Sequence, residues 1–328
     1  MNLKKVILAS LIVSSMLATL AGPIPAGAEA AQENQQEQQS DNKKVPIDKK
    51  LAPKLQKAVN QYAGKEVKLK DTGEHINNNE SLVTVQSADG NYGVGFDPKS
   101  GNIWFVSNKT TIDKVDKKFQ DEALKELKNA YSKKKYVFNK DVTQSRSYDN
   151  SKGKFGDYMF YEFSGKDFTV SVNANISEGY VIPVARIDID KKELDLNLLK
   201  SATEAIKTAF DHQFDVTKAQ IEQRTWVLED DKVTVYMEKG KAISLINKQG
   251  NNVTTNKEMT EKEAKEAVAP LAKKLFNIDI TGYEVKWDSL FKDYRFIEKN
   301  DVTAVRAALD AEKNVVYIKS GSRAAAGN

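Results

Sequence analysis

The chain has no cysteine in 328 residues. That excludes disulfides, the acylated cysteine of a bacterial lipoprotein and thiol chemistry, so stability must come from packed cores. Histidine is almost absent too: only His75 and His212 occur, neither with a companion at metal-ligand spacing. A zinc site of the common kind needs several His or Cys ligands close together, and no H-E-x-x-H or C-x-x-C is present. No G-x-S-x-G turn offers a serine nucleophile, and Ser164-Gly165 and Ser320-Gly321 read as ordinary turn pairs. Gly93-Val94-Gly95-Phe96 lacks the third glycine and the following helix of a dinucleotide fingerprint. Asp188-Ile189-Asp190-Lys191-Lys192-Glu193 opens like a calcium loop without its glycine or final glutamate, which leaves only adventitious calcium binding open.

What is present begins with Lys4 and Lys5, an apolar run from Val6 to Leu20, Pro23 and Pro25, and small residues ending at Ala30. Residues 1–30 therefore read as a signal peptide, cut before Ala31 or, at Ala26-Gly27-Ala28, two residues earlier. The apolar run is shorter than the ~20 residues that span a bilayer, so no transmembrane segment is expected once it is removed. A chain of this size without cysteine, carrying such a leader, suits export from a Gram-positive bacterium, either secreted or associated with the cell wall. Net charge is +4. Lysines and acids are interspersed, which favours a solvated surface over a nucleic-acid stripe and still allows weak attraction to anionic wall polymers.

Residues 31–46 read as a flexible linker and 320–328 as a flexible tail, since neither holds a cluster of bulky apolar groups. Between them, apolar spacings of three and four predict four helices. The first runs from about Asp48 to Ala63, stopped by Gly64, and the second from about Asp116 to Tyr131. Leu198, Ala202, Ala205, Ile206, Ala209 and Phe210 mark the third. Thr260 and Glu263 form a capping-box pair ahead of the fourth, which Pro270 should bend or break. Each helix is followed by runs rich in Val, Ile, Thr, Tyr and Phe that read as antiparallel hairpins. The closing hairpins share a turn, with Gly101, Gly179, Gly240 and Asn314 at the position needing positive φ.

These patterns predict an α+β fold of about four tandem helix-plus-antiparallel-sheet repeats, at 47–112, 113–192, 193–257 and 258–319, with neighbours able to pair into two lobes. A leading helix such as Thr260-Glu261-Lys262-Glu263-Ala264, followed by strands and a closing Asp-x-x-x-Gly hairpin, resembles the PepSY domain. It also resembles the repeated units of the YcdB/YcdC-type secreted proteins of bacilli. The resemblance implies a noncatalytic extracellular module that binds or restrains peptidases. It carries no catalytic motif onto any residue of this chain.

The remaining candidates read structurally. Glu229-Asp230-Asp231 caps a hairpin between Val227 and Val233, and His212 sits where a cation favours a helix C-terminus. Trp104, Trp226 and Trp287 lie in strand-like runs, as core or as a contact surface. Lys133-Lys134-Lys135 reads as a solvated helix end. The expectation is a secreted noncatalytic binding or regulatory protein without catalytic, metal or cofactor residues. Its partner would be an extracellular peptidase or an anionic cell-wall polymer, engaged through an exposed sheet edge or hairpin. A wall-associated structural repeat protein and a carboxylate-based hydrolase are the rival readings.

Overall fold

The computed structural model describes residues 44–76, 79–250, 253–254 and 258–326. The expected signal peptide, residues 31–43 of the expected linker and the last two tail residues lie outside the described residues. The described residues divide into two compact units, one spanning 44–128 with 132–185 and the other 129–131 with 186–326.

The first unit opens with β1 (Lys44–Pro46) and α1 (Ala52–Ala63), followed by β2 (Thr72–Ile76), β3 (Asn79–Gln86), β4 (Tyr92–Phe96) and β5 (Ile103–Thr111). Then α2 (Lys117–Ala130) precedes β6 (Phe138–Asp149), β7 (Lys154–Gly165), β8 (Phe168–Asn175) and β9 (Tyr180–Asp188). Helix α1 ends on Gly64 at φ 66°, a left-handed cap that a side chain would strain. Its Leu55, Ala58 and Val59 pack on Val83, Val85, Val94, Phe96, Ile103 and Val106 of the sheet. Each buried Val, Leu, Ile or Phe among these contributes roughly 1.5–3 kcal/mol. Phe119 of α2 stacks on Tyr161 at 4.7 Å, fixing that helix to the same face.

In the second unit α3 (Leu196–Phe210) precedes β10 (Lys218–Glu222), β11 (Thr225–Glu229), β12 (Val233–Glu238) and β13 (Lys241–Asn247). Then α4 (Glu261–Phe276) precedes β14 (Glu284–Asp288), β15 (Asp293–Ile297), β16 (Thr303–Leu309) and β17 (Val315–Ser320), and α5 (Gly321–Ala326) closes the chain. Asp195 caps α3 through the N–H groups of Asn197 and Leu198. Both halves of the Thr260–Glu263 capping box are formed on α4, which continues through Pro270 to Phe276 instead of breaking there.

The expected architecture of four tandem helix-plus-sheet repeats needs correction. Chain order does run helix then four strands, four times, but the seventeen strands join one large antiparallel sheet, with strand at 43% and helix at 25%. Hydrogen bonding passes straight through the expected repeat boundaries. β5 pairs with β6 from Phe105↔Ser147 to Thr111↔Asp141, Arg186–Asp188 at the end of β9, which belong to the second unit, pair with β10, and β13 pairs with β17. The physical reason is that the last strand of each meander leaves a row of N–H and C=O groups, and another strand satisfies them.

Two terminal expectations also change. Lys44–Pro46 of the linker is a strand paired with Thr72–Glu74. The tail begins as the end of β17 and turns into α5, with Ala324 buried and the Arg323 guanidinium 3.8 Å from the Tyr236 ring centroid. In the last closing hairpin Lys313, at φ 68°, carries the positive φ expected of Asn314. Asn314 instead donates its backbone N–H to Asp310 Oδ1 at 2.8 Å.

Candidate functional site

The second unit's sheet has two unlike faces. Tyr294, Ala307, Ile318, Leu245, Val235 and Leu228 align across β15, β16, β17, β13, β12 and β11 and face the helices. Tyr294 marks that side by donating its hydroxyl to the Met259 carbonyl just before α4, at 2.6 Å. One residue out of phase runs the opposite row, Lys286, Arg295, Arg306, Lys319, Ser244 and Tyr236. Four consecutive strands thus place a basic residue in one line, where like charges repel.

At Arg306 two acids offset that repulsion. The arginine side chain is 4% exposed, and it grips Asp293, which is 0% exposed, through Nε at 2.8 Å and Nη2 at 2.7 Å. The same Nη2 reaches Asp288 Oδ2 at 2.6 Å. Tyr317 adds a hydroxyl donated to Asp293. Burial opposes ionisation of Asp288, but the Phe291 N–H and Arg306 outweigh it and hold the carboxyl below the usual range. Burial, then the hydrogen bond to Asp293, pushes the Tyr317 hydroxyl well above its ordinary value. Burial, then the Arg306 charge, brings the Lys319 ammonium down to about 8.

This charge cluster sits at the base of the β14–β15 hairpin. Asp288 ends β14 and Asp293 begins β15, so one guanidinium holds both ends of the four-residue loop between them. Asp288 Oδ1 also accepts the N–H groups of Leu290 and Phe291, at 3.1 and 3.3 Å. The Phe291 ring lies 4.6 Å from the Arg306 guanidinium. What the loop pushes outward is Leu290, 80% exposed. Both edges of β13 are taken by β12 and β17, and among the described residues of this unit β14 pairs with β15 alone.

No family model, curated protein or solved structure matches this chain. The site must therefore be judged on its own chemistry. Both carboxylates are engaged by Arg306, which leaves neither as a free general acid or base. The arrangement ties both ends of a short loop to one arginine and leaves an apolar tip exposed.

The sequence-selected residues fall elsewhere. His212 lies two positions beyond the end of α3 and bonds Asp230 through Nε2 at 2.6 Å, rather than serving the helix terminus. Asp230 Oδ1 accepts the N–H groups of Lys232 and Val233, the hairpin cap expected of it. Its carboxyl is held low: burial opposes ionisation, and His212 and the two N–H groups outweigh it. His75 lies in β2 of the other unit. Ser320 is a buried strand end, not a turn residue. Among the described residues no three His, Cys, Asp or Glu side chains are grouped to hold a metal.

The tryptophans are not core. Trp226 and Trp287 are half-buried, the latter edge-on to Tyr294 at 4.9 Å, and Trp104 is 53% exposed. Trp104 is the extra residue of a β-bulge between Gly95↔Phe105 and Phe96↔Ile103. Asn150 holds that bulge, accepting the Ile103 N–H at 2.9 Å and donating to the Ile103 carbonyl at 2.7 Å. The Arg306 cluster was missed, though one signal was available. An arginine stands in the middle of the otherwise apolar run Ala304-Val305-Arg306-Ala307-Ala308-Leu309. A buried charge of that kind requires acids opposite it.

Proposed function

We propose that the chain is an exported protein that acts by binding, and that the β14–β15 hairpin is the element it presents to its partner. The observation that carries this reading is Leu290, 80% exposed on a loop whose two ends share one buried arginine. A hairpin tied at both ends loses little conformational freedom on docking, which favours affinity. The β14 edge away from β15 adds main-chain hydrogen bonds to an extended partner segment. An extracellular peptidase suits this presentation, because its substrate cleft already accepts extended chain.

The test uses the mature chain from Ala31 as bait in culture fluid of the producing organism, beside a Leu290→Asp variant. Recovery of a peptidase by the first and not by the second supports the reading. Equal recovery by both moves the contact away from the hairpin, and recovery of no peptidase ends the peptidase assignment.

A further inference from the structure

The basic excess of this protein is concentrated in one stretch. Residues 44–70 hold eight lysines, at 44, 49, 50, 54, 57, 65, 68 and 70, against Asp48 and Glu66, a net +6. Removing them from the totals of 50 and 46 leaves 42 basic and 44 acidic residues, a net −2 for everything else. All eight lysines are exposed, and among the described residues none forms an ion pair.

Five of the eight lie on helix α1 or within a few residues of its ends, whereas Lys44 stands opposite Glu74 on β2. Helix α1 contains no acid, whereas α2, α3 and α4 each contain at least one. Lys54 and Lys57 stand one turn apart on its exposed side, with Lys49 and Lys50 in the turn before it and Lys65 just past Gly64. Asp48 is occupied, accepting the Lys50 N–H at 2.7 Å. Lys54 Nζ lies 2.6 Å from the Gly101 carbonyl and Lys65 Nζ 5.8 Å from the Tyr92 ring centroid. These contacts orient the ammonium groups without neutralising them. At 1.5 Å per residue the twelve-residue helix makes the strip about 18 Å long.

We infer that this lysine strip binds a flexible linear polyanion of the cell envelope, a phosphodiester polymer. The surface has the charge such a polymer needs and lacks what other polyanions use. Between the lysines its exposed positions are Pro46, Asp48, Ala52, Pro53, Gln61, Gly64 and Glu66, with no large apolar residue to enter a lipid layer. Nor does it offer an exposed aromatic platform for nucleic-acid bases, and lysine is a point charge, not a planar reader of base edges. This inference rests on the export reading, but the strip belongs to the first unit and the hairpin to the second, so it stands or falls independently of the hairpin reading.

The experiment measures binding of the mature chain to purified glycerol-phosphate polymer across a salt series, and its sedimentation with wall sacculi before and after removal of their phosphodiester polymers. One variant carries Lys50→Gln, Lys54→Gln, Lys57→Gln and Lys65→Gln together. A charge-matched control carries Lys133→Gln, Lys166→Gln, Lys192→Gln and Lys241→Gln, all at exposed positions. Melting temperatures of all three chains verify folding. The expected result is binding lost on stripped sacculi, at least tenfold weaker in the strip variant and within twofold in the control. The slope of log affinity against log salt should fall by about three, at ~0.7 per phosphate contact. Equal weakening by both variants, undiminished binding to stripped sacculi, or tighter binding to anionic phospholipid vesicles than to the polymer would overturn it.

Discussion

Arg306 meets Asp293 side-on, with Nε and Nη2 each within 2.8 Å of a different carboxylate oxygen and both side chains sealed from water. Such a bidentate pair is directional, so it fixes where β15 lies on β16 as well as neutralising charge. Deleting one partner exposes the cost. Arg306→Leu removes the guanidinium that pairs the buried Asp293 and the half-buried Asp288 and should destabilise the second unit by about 3–5 kcal/mol, whereas Arg306→Leu with Asp293→Leu should recover part of that loss. Urea unfolding of the three chains checks the ordering.

Lys319 gives a pH signature of definite sign. Its folded value of about 8 lies below the ordinary 10.5, so between those values the unfolded chain binds more protons and stability rises with pH. Lys319→Met should be the more stable chain at pH 7.5 and should show a flatter profile up to pH 9.5. Melting temperatures measured across that window test it. A steeper rise in the variant would contradict the assignment.

At the other end of the scale, Asp288 and Asp230 are held low in the folded state. Their contribution is present above the unfolded carboxylate value and is lost as pH falls through the folded one. Asp230→Ala should cost about 2 kcal/mol and His212→Ala about 1, because the carboxylate serves His212 and two backbone N–H groups while the imidazole serves one acceptor. The gap between the two variants should close on acidification below pH 4.

The Trp104 bulge separates what is displayed from what is structural. Trp104→Thr should change stability by less than about 0.5 kcal/mol, while Asn150→Ala strands the Ile103 N–H and carbonyl and should cost about 1–2 kcal/mol. Thermal unfolding of both chains decides it.

The local features of this fold were legible because their causes are local. Gly64 as a helix stop, the Thr260–Glu263 box and the Asp230 turn depend on residues within a few positions of one another, and each is formed. The joining of meanders was not legible. Nothing near Phe105 or Ser147 in sequence announces that these two residues oppose each other, since pairing across about forty residues depends on which edges three-dimensional packing leaves open. The same applies to the site. Asp288, Asp293, Arg306 and Tyr317 read as unrelated surface or strand residues until β14 to β17 bring them into adjacent rows. The exposure of Trp104 depends on one extra residue in a ladder, which an aromatic strand pattern does not disclose.

The most direct test of the binding account is a titration of secreted peptidase activity in the producing organism's culture fluid with mature chain and with its Leu290→Asp variant. The account predicts that activity falls with the first, saturating at a fixed stoichiometry, and stays unchanged with the second. Undiminished activity with the unaltered chain, or equal loss with both, would contradict it.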